Sequence, residues 1–320
     1  MLSAIVILAT LLGSVFSELS FISFEDIEVK GYSRNTEKFK IRIKDAESIS
    51  EHLPTVDIDK LTIIGQNLSI LYPRSLSNME TLRILLVDFS DIFHIFPGAI
   101  RNVPNLKFLS FGNNRIEHIP RGLFNNLRIQ VLDLSKNAIY KIDGDAFDNM
   151  PELAKIDLSY NMIRKIDNSW FMNTPKLVWL ELNRNYIEEI PVSAFKNIAN
   201  NSNEDYLPSI NLGYNNIKKI YPGAFKELSH VNFMELNNNL IKHIDEKTFY
   251  PLHINILSLR HNRIRSLKGK LNIILPAETI SLENNLFSCQ HMMKLNEWAR
   301  NQKIGWKSLL SLECLMNFSK

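Results

Sequence analysis

One polar position that returns at a near-constant interval constrains this chain more than any other feature. It holds Gln66, Ser90, Asn114, Asn137, Asn161, Asn185, Asn215, Asn239, Asn262 and Asn285, with steps of 24, 24, 23, 24, 24, 30, 24, 23 and 23 residues. A second column lies ten residues further on, at Phe124, Phe147, Phe171, Phe195, Phe225 and Phe249. Self-similarity at such a period is the signature of a solenoid. Ahead of each polar residue runs a short apolar alternation. In the period that ends at Asn161, Ile156 and Leu158 point inward, while Lys155, Asp157 and Ser159 point out, as a strand requires. No single coil can bury its own apolar edge, so stacked coils must bury each other's.

The period Leu106–Phe124, LKFLSFGNNRIEHIPRGLF, returns from Leu153 to Phe171 and from Leu177 to Phe195. It resembles the repeat LxxLxLxxNxIxxIxxxxFxxxPxL of extracellular leucine-rich-repeat proteins, and the resemblance covers residues 56–285, about ten coils. It implies an α/β solenoid, a horseshoe with a concave parallel β-sheet, an irregular convex side and capping elements at both ends. Ten strands about 4.8 Å apart give an arc of roughly 45–50 Å. The repeat Asn is expected to bond backbone groups that the turn would otherwise leave unpaired in the interior, and the Phe column to fill the convex side. The motif says much about fold and little about function.

The ends depart from the repeat. Residues 1–17, MLSAIVILATLLGSVFS, read as a signal peptide cleaved after Ser17, because the apolar run is too short to span a bilayer. Residues 18–55 read as a cysteine-free N-terminal cap, a small hairpin in which Phe39, Ile41 and Ile43 alternate with lysine and arginine. The first two coils are atypical, with Gln66 and Ser90 in place of Asn and Leu76 and Ile100 in place of Phe. The sixth coil carries extra polar residues within IANNSNEDYLPS, which read as a convex loop. Residues 286–320 resemble the C-terminal cap of secreted leucine-rich-repeat proteins, on Asn285, Phe287, Cys289 and Trp298. His291 stands where that cap has its second cysteine. The resemblance implies a disulfide between Cys289 and Cys314. By chain entropy it is worth about 3 kcal/mol. A zinc or redox site lacks ligands and a CxxC spacing.

No GxSxG, HExxH, GxxxxGKS or GxGxxG motif is present. His118 and His243 share a repeat position but lie too many coils apart to hold one metal, and no nucleophile has a base beside it. The expectation is a chain that is not an enzyme and needs no cofactor or metal. A net charge of +3 over 320 residues is not the concentrated basic footprint of a nucleic-acid binder. Three sequons, at Asn67, Asn200 and Asn317, are candidate glycosylation sites in a secreted chain.

The repeat register then says which residues share a surface. The middle outward column reads Thr62, Leu86, Ser110, Asp133, Asp157, Glu181, Asn211, Glu235, Ser258 and Ser281. Neighbouring outward columns add Phe108, Trp179 and Phe233, with Tyr160 and Tyr214 at the rim. Aromatics beside charges are what protein-binding surfaces offer, although aromatics favour strands in any case. Asp133, Asp157 and Glu181 stand in adjacent strands, where like charges repel. That row reads as a local cost without a local benefit, hence as a feature kept for a cationic partner. On the flank, Lys141, Arg164, Lys165, Lys218, Lys219, Lys242 and Arg265 form either a polyanion track or a solvated surface, interrupted by Glu188 and Glu189. The expected function is a secreted module binding an extracellular protein on its concave face. The alternatives are a matrix component that binds polyanions through the flank, and an inhibitor or carrier subunit of a secreted enzyme.

Overall fold

The computed structural model describes residues 23–35, 37–198 and 207–306. Its main sheet has thirteen strands in the order β2-β1-β3, then β4 to β13 in sequence. Two long strands open it, β1 (Phe24–Ser33) and β2 (Lys38–Ala46). One strand per coil follows: β3 (Ile58–Thr62), β4 (Ile84–Leu86), β5 (Phe108–Ser110), β6 (Val131–Asp133), β7 (Lys155–Asp157), β8 (Trp179–Glu181), β9 (Ser209–Asn211), β10 (His230–Glu235), β11 (His253–Ser258) and β12 (Ala277–Ser281). The short β13 (Gly305–Trp306) closes the edge. From β3 to β13 all pairings are parallel and in register. The horseshoe architecture read from the sequence is therefore present.

The inward column of the strands is almost wholly withdrawn from water: Leu61, Leu85, Leu109, Leu132, Ile156, Leu180, Ile210, Met234, Leu257 and Ile280 are each at most 1% exposed. Behind it stands the phenylalanine column. Phe124, Phe147 and Phe171 stack with ring centroids 6.2 and 5.5 Å apart, and Phe195, Phe225 and Phe249 at 5.6 and 5.8 Å. Between these layers runs the asparagine ladder. Asn161 accepts from the Ile139 N–H of the previous coil at 3.0 Å and donates to the Leu134 and Leu158 carbonyls at 3.0 and 3.1 Å. Asn137, Asn185, Asn215, Asn239, Asn262 and Asn285 repeat the pattern. Each side chain thus ties two coils through main-chain groups that sequence-distant contacts would otherwise leave unpaired.

The irregular first coil has a physical reason. Gln66, one methylene longer than Asn, reaches past its own coil and accepts from the Glu28 N–H of β1 at 2.8 Å. Strand β1 pairs antiparallel with both β2 and β3, so the ladder ends on the hairpin rather than on another coil. Gly31 makes room there for the Phe39 ring: a Cβ would lie 2.0 Å from the ring tip, which would have to swing aside. At the other end, helix α1 (Leu271–Ile274) precedes β12, and α2 (Cys289–Asn301) follows it. Ser288 caps α2 by accepting from the His291 N–H, and Leu295 and Ala299 seal the last coil. The His291 ring accepts from the Leu267 N–H at 3.2 Å and stacks on Phe287. A histidine thereby ties the helix to the solenoid at the position where the resembled cap has a cysteine. Burial, with Lys294 nearby, holds its pKa below the usual histidine range.

Candidate functional site

The register places the acidic row side by side: Ser110, Asp133, Asp157, Glu181, Asn211, Glu235 and Ser258 occupy one line across β5 to β11. Adjacent members are about 5 Å apart by strand spacing. The row also has a local use that composition does not reveal. Asp133 accepts from the Ser135 N–H at 2.8 Å, and Asp157 from the Ser159 N–H at 2.9 Å. Asn211 does the same for Gly213 at 3.1 Å. A short polar side chain at the strand end satisfies a main-chain donor as the coil turns away. For the two aspartates, then, the row is not a cost without local benefit. Glu181 and Glu235 have no such backbone bond among the described residues, so the argument for a partner rests on them. Asp88, on the next outward position of β4's coil, extends the acidic surface. It accepts from the Ser110 hydroxyl at 2.6 Å, while burial and the Asp133 charge raise its pKa.

Trp179 is 41% exposed on the concave face. Its indole N–H donates to Glu181 at 2.5 Å, and the Lys155 ammonium lies 5.2 Å from the ring centroid. On the other side, the first outward column runs Trp179, Ser209, Phe233. The small Ser209 between two aromatics leaves a hollow of about 260 Å³, lined by Trp179, Glu181, Ser209, Asn211, Phe233 and Glu235. Phe108 is not part of it, since Val131 and Lys155 separate it from Trp179 in the same column.

The rim residues Tyr160 and Tyr214 are joined by one that sequence reading missed. The Arg184 guanidinium lies 4.9 Å from the Tyr160 ring and 4.2 Å from the Tyr214 ring, and the Lys136 ammonium is 5.8 Å from the other side of Tyr160. All four precede the repeat Asn, at a position that adopts positive φ in coil after coil: Lys136 54°, Tyr160 55°, Arg184 57°, Tyr214 56°. Glycine or asparagine suits that conformation better, by about 1 kcal/mol. A cation–π contact of about 0.5–1 kcal/mol offsets it. The sequence signal was available as an alternation of cation and aromatic at one repeat position.

The flank cations are all exposed, but they do not act alike. Lys141 pairs with Asp143 at 3.7 Å, Lys218 with Glu188 at 3.1 Å, and Lys219 lies 3.8 Å from the Tyr221 ring. Arg164 is cut off from Lys218 and Lys242 by Glu188, while Lys165 is cut off from Lys219 by Glu189. Lys242 and Arg265 follow in the next two coils. His118 contacts Asp143 at 2.8 Å. His94 is buried, with its Nε2 unbonded among the described residues, and burial beside His118 lowers its pKa to about 4. Asn67 is exposed. Asn200, Asn317, Cys314, residues 1–17 and the inserted segment 199–206 lie outside the described residues.

The Leucine rich repeat family pattern matches residues 80–139, 127–187 and 205–264, over half of the chain, and the protein belongs to that family. Decorin of Rattus norvegicus is 30% identical over 104 residues, which is 32% of this chain and 29% of decorin. Among solved structures, Toll in the Toll–Spatzle complex of Drosophila superposes with a TM-score of 0.63 at 16% identity, over 75% of this chain and 32% of Toll's. Mouse RP105/MD-1 gives 0.65 at 21%, over 78% of this chain and 43% of that one. The TLR13–ssRNA13 complex gives 0.54 at 22%, over 67% and 32%. The chain thus spans less than half the length of each of these proteins, and the structural likenesses speak to fold alone.

Proposed function

We propose that this chain is a secreted recognition module that binds a protein partner on its concave face around Trp179. The single observation that carries the reading is the hollow of about 260 Å³ between Trp179 and Phe233, flanked by Glu181 and Glu235. A half-exposed tryptophan with satisfied N–H and a free ring face is a typical interface anchor. Family membership and the Toll–Spatzle complex, a repeat protein seen with a protein partner, support a binding role rather than catalysis. Among the described residues no group of His, Cys, Asp or Glu is placed to hold a metal ion. The flank is the weaker surface, because three of its seven cations already have intramolecular partners.

The test places a photo-activatable amino acid at Glu235 on the concave face and, separately, at Lys242 on the flank. Each variant is irradiated in the extracellular fluid from which the protein is recovered. A partner cross-linked from Glu235 and not from Lys242 is the expected result. Capture from Lys242 alone, or loss of the cross-linked species on treatment with glycosaminoglycan lyases, refutes the concave reading in favour of polyanion binding.

A further inference from the structure

The hollow between Trp179 and Phe233 has the shape and charge of a receptor for one side chain. Its walls are two aromatic rings two strands apart, about 10 Å at strand spacing, with the small Ser209 as the floor between them. A gap of that width, less the thickness of the rings, admits one flat group. One line further along the strands stand Glu181 and Glu235, separated by Asn211. Neither carboxylate is in an ion pair among the described residues. The molecule itself supplies a precedent for the chemistry. Lys155, from β7, sets its ammonium against the Trp179 ring at 5.2 Å. The bond from the indole N–H to Glu181 restrains the ring, which lines the hollow beside Ser209.

We infer that this hollow takes a single arginine side chain of the partner, its guanidinium between Trp179 and Phe233 and its N–H edges toward Glu181 and Glu235. A guanidinium fits better than an ammonium. It is planar, stacks on aromatic faces, and carries five donors in a fixed fork that can address two carboxylates at once. Two carboxylates beside an apolar-walled hollow supply the charge complementarity that identifies a cationic occupant. The inference rests on the concave-face reading and narrows it to one group.

The experiment uses the full chain labelled with ¹⁵N-tryptophan, in which only four indole signals appear, since the chain has four tryptophans. The probes are N-acetyl-L-arginine amide, the lysine amide, and the citrulline amide, which keeps arginine's shape without its charge. The arginine amide should shift the Trp179 signal saturably, with an affinity at least about tenfold above citrulline's, a difference of about 1.4 kcal/mol. Ser209→Leu fills the floor and should abolish the shift. Should that variant fail to fold, Glu235→Gln, at a partly exposed position, should weaken binding about fivefold, as expected for one surface ion pair. Equal binding of citrulline overturns the inference, and so does equal binding of lysine or an unchanged shift in the folded Ser209→Leu protein. If no probe shifts Trp179 while Glu235 still cross-links a partner, the arginine assignment falls and the concave reading stands. If both experiments fail, both fall.

Discussion

Replacing Asn161 by Ala tests how the coils are tied together. Four described groups lose a bond: the Ile139 N–H and the Leu134, Leu158 and Ser159 carbonyls, the last of which keeps the Lys136 N–H at 2.9 Å. They do not lose equally. The Leu134 carbonyl also accepts from Asn137 at 3.1 Å, and the Leu158 carbonyl from Asn185 at 2.9 Å. Each therefore keeps one donor, and only the Ile139 N–H is orphaned. Ile139 is fully buried, so the expected loss is that of one unsatisfied buried donor, about 1–3 kcal/mol, rather than that of all four bonds. Asn137→Ala alone behaves similarly. The double variant strips the Leu134 carbonyl of both donors, so its destabilisation should exceed the sum of the singles by about 1 kcal/mol. Urea unfolding of the four proteins supplies the cycle. Long repeat arrays can unfold piecemeal, so amide exchange at Ile139 is read alongside and should quicken in both variants that carry Asn161→Ala. Additivity within about 0.3–0.5 kcal/mol would refute the shared-carbonyl account.

Phe147, fully buried with rings stacked on both sides, should lose about 3–5 kcal/mol as Phe147→Ala by leaving a cavity in the spine, read from the unfolding midpoint. His94 is held neutral in the fold, with a pKa near 4 against 6.5 when unfolded. Its contribution is intact above pH 6.5 and is lost as pH falls toward 4, because the unfolded chain then takes up a proton that the fold refuses. His94→Phe should therefore flatten the fall in stability between pH 7 and pH 5 by up to about 2 kcal/mol; an unchanged pH profile excludes His94 as its source. Peptide mapping of the unreduced protein recovered from its native source is expected to find Cys289 linked to Cys314 and, on the proposed secretion, the chain beginning at Glu18. Two free thiols would remove the case for a disulfide in the C-terminal cap. Changing Glu181 and Glu235 to Gln should slow partner association and flatten its salt dependence with little change in melting temperature.

The coil was legible in the sequence because one chemistry is demanded once per period. An inward leucine, a turn asparagine and a convex phenylalanine each recur in a place where nothing else fits as well, so counting residues yields the register. That register also put Asp133, Asp157 and Glu181 in line and Trp179 beside Glu181. What counting could not reach was set by side-chain length and by neighbours far apart in sequence. Gln66 looks like a degraded Asn until its extra methylene is seen to reach Glu28. Asp133 and Asp157 look like a charge row until their backbone bonds are seen. Ser209 looks unremarkable as a strand residue, yet its smallness between Trp179 and Phe233 makes the hollow. Arg184 was passed over because a lone cation at a turn says nothing unless Tyr160 and Tyr214 are known to stand on either side.

The parallel stacking of β8, β9 and β10 also fixes how this surface can be copied. Its two aromatic walls are neighbours only through an intervening strand, and they come from coils more than fifty residues apart in the chain. No short synthetic peptide drawn from the sequence contains both walls, so none should compete with the intact protein for a ligand. An antibody raised to the native protein and blocking that ligand would see a discontinuous epitope. It would fail on a denaturing blot while still staining the folded molecule. Transplanting the surface to another horseshoe, by contrast, needs only the outward residues of three consecutive strands, because the backbone that spaces them is common to every coil.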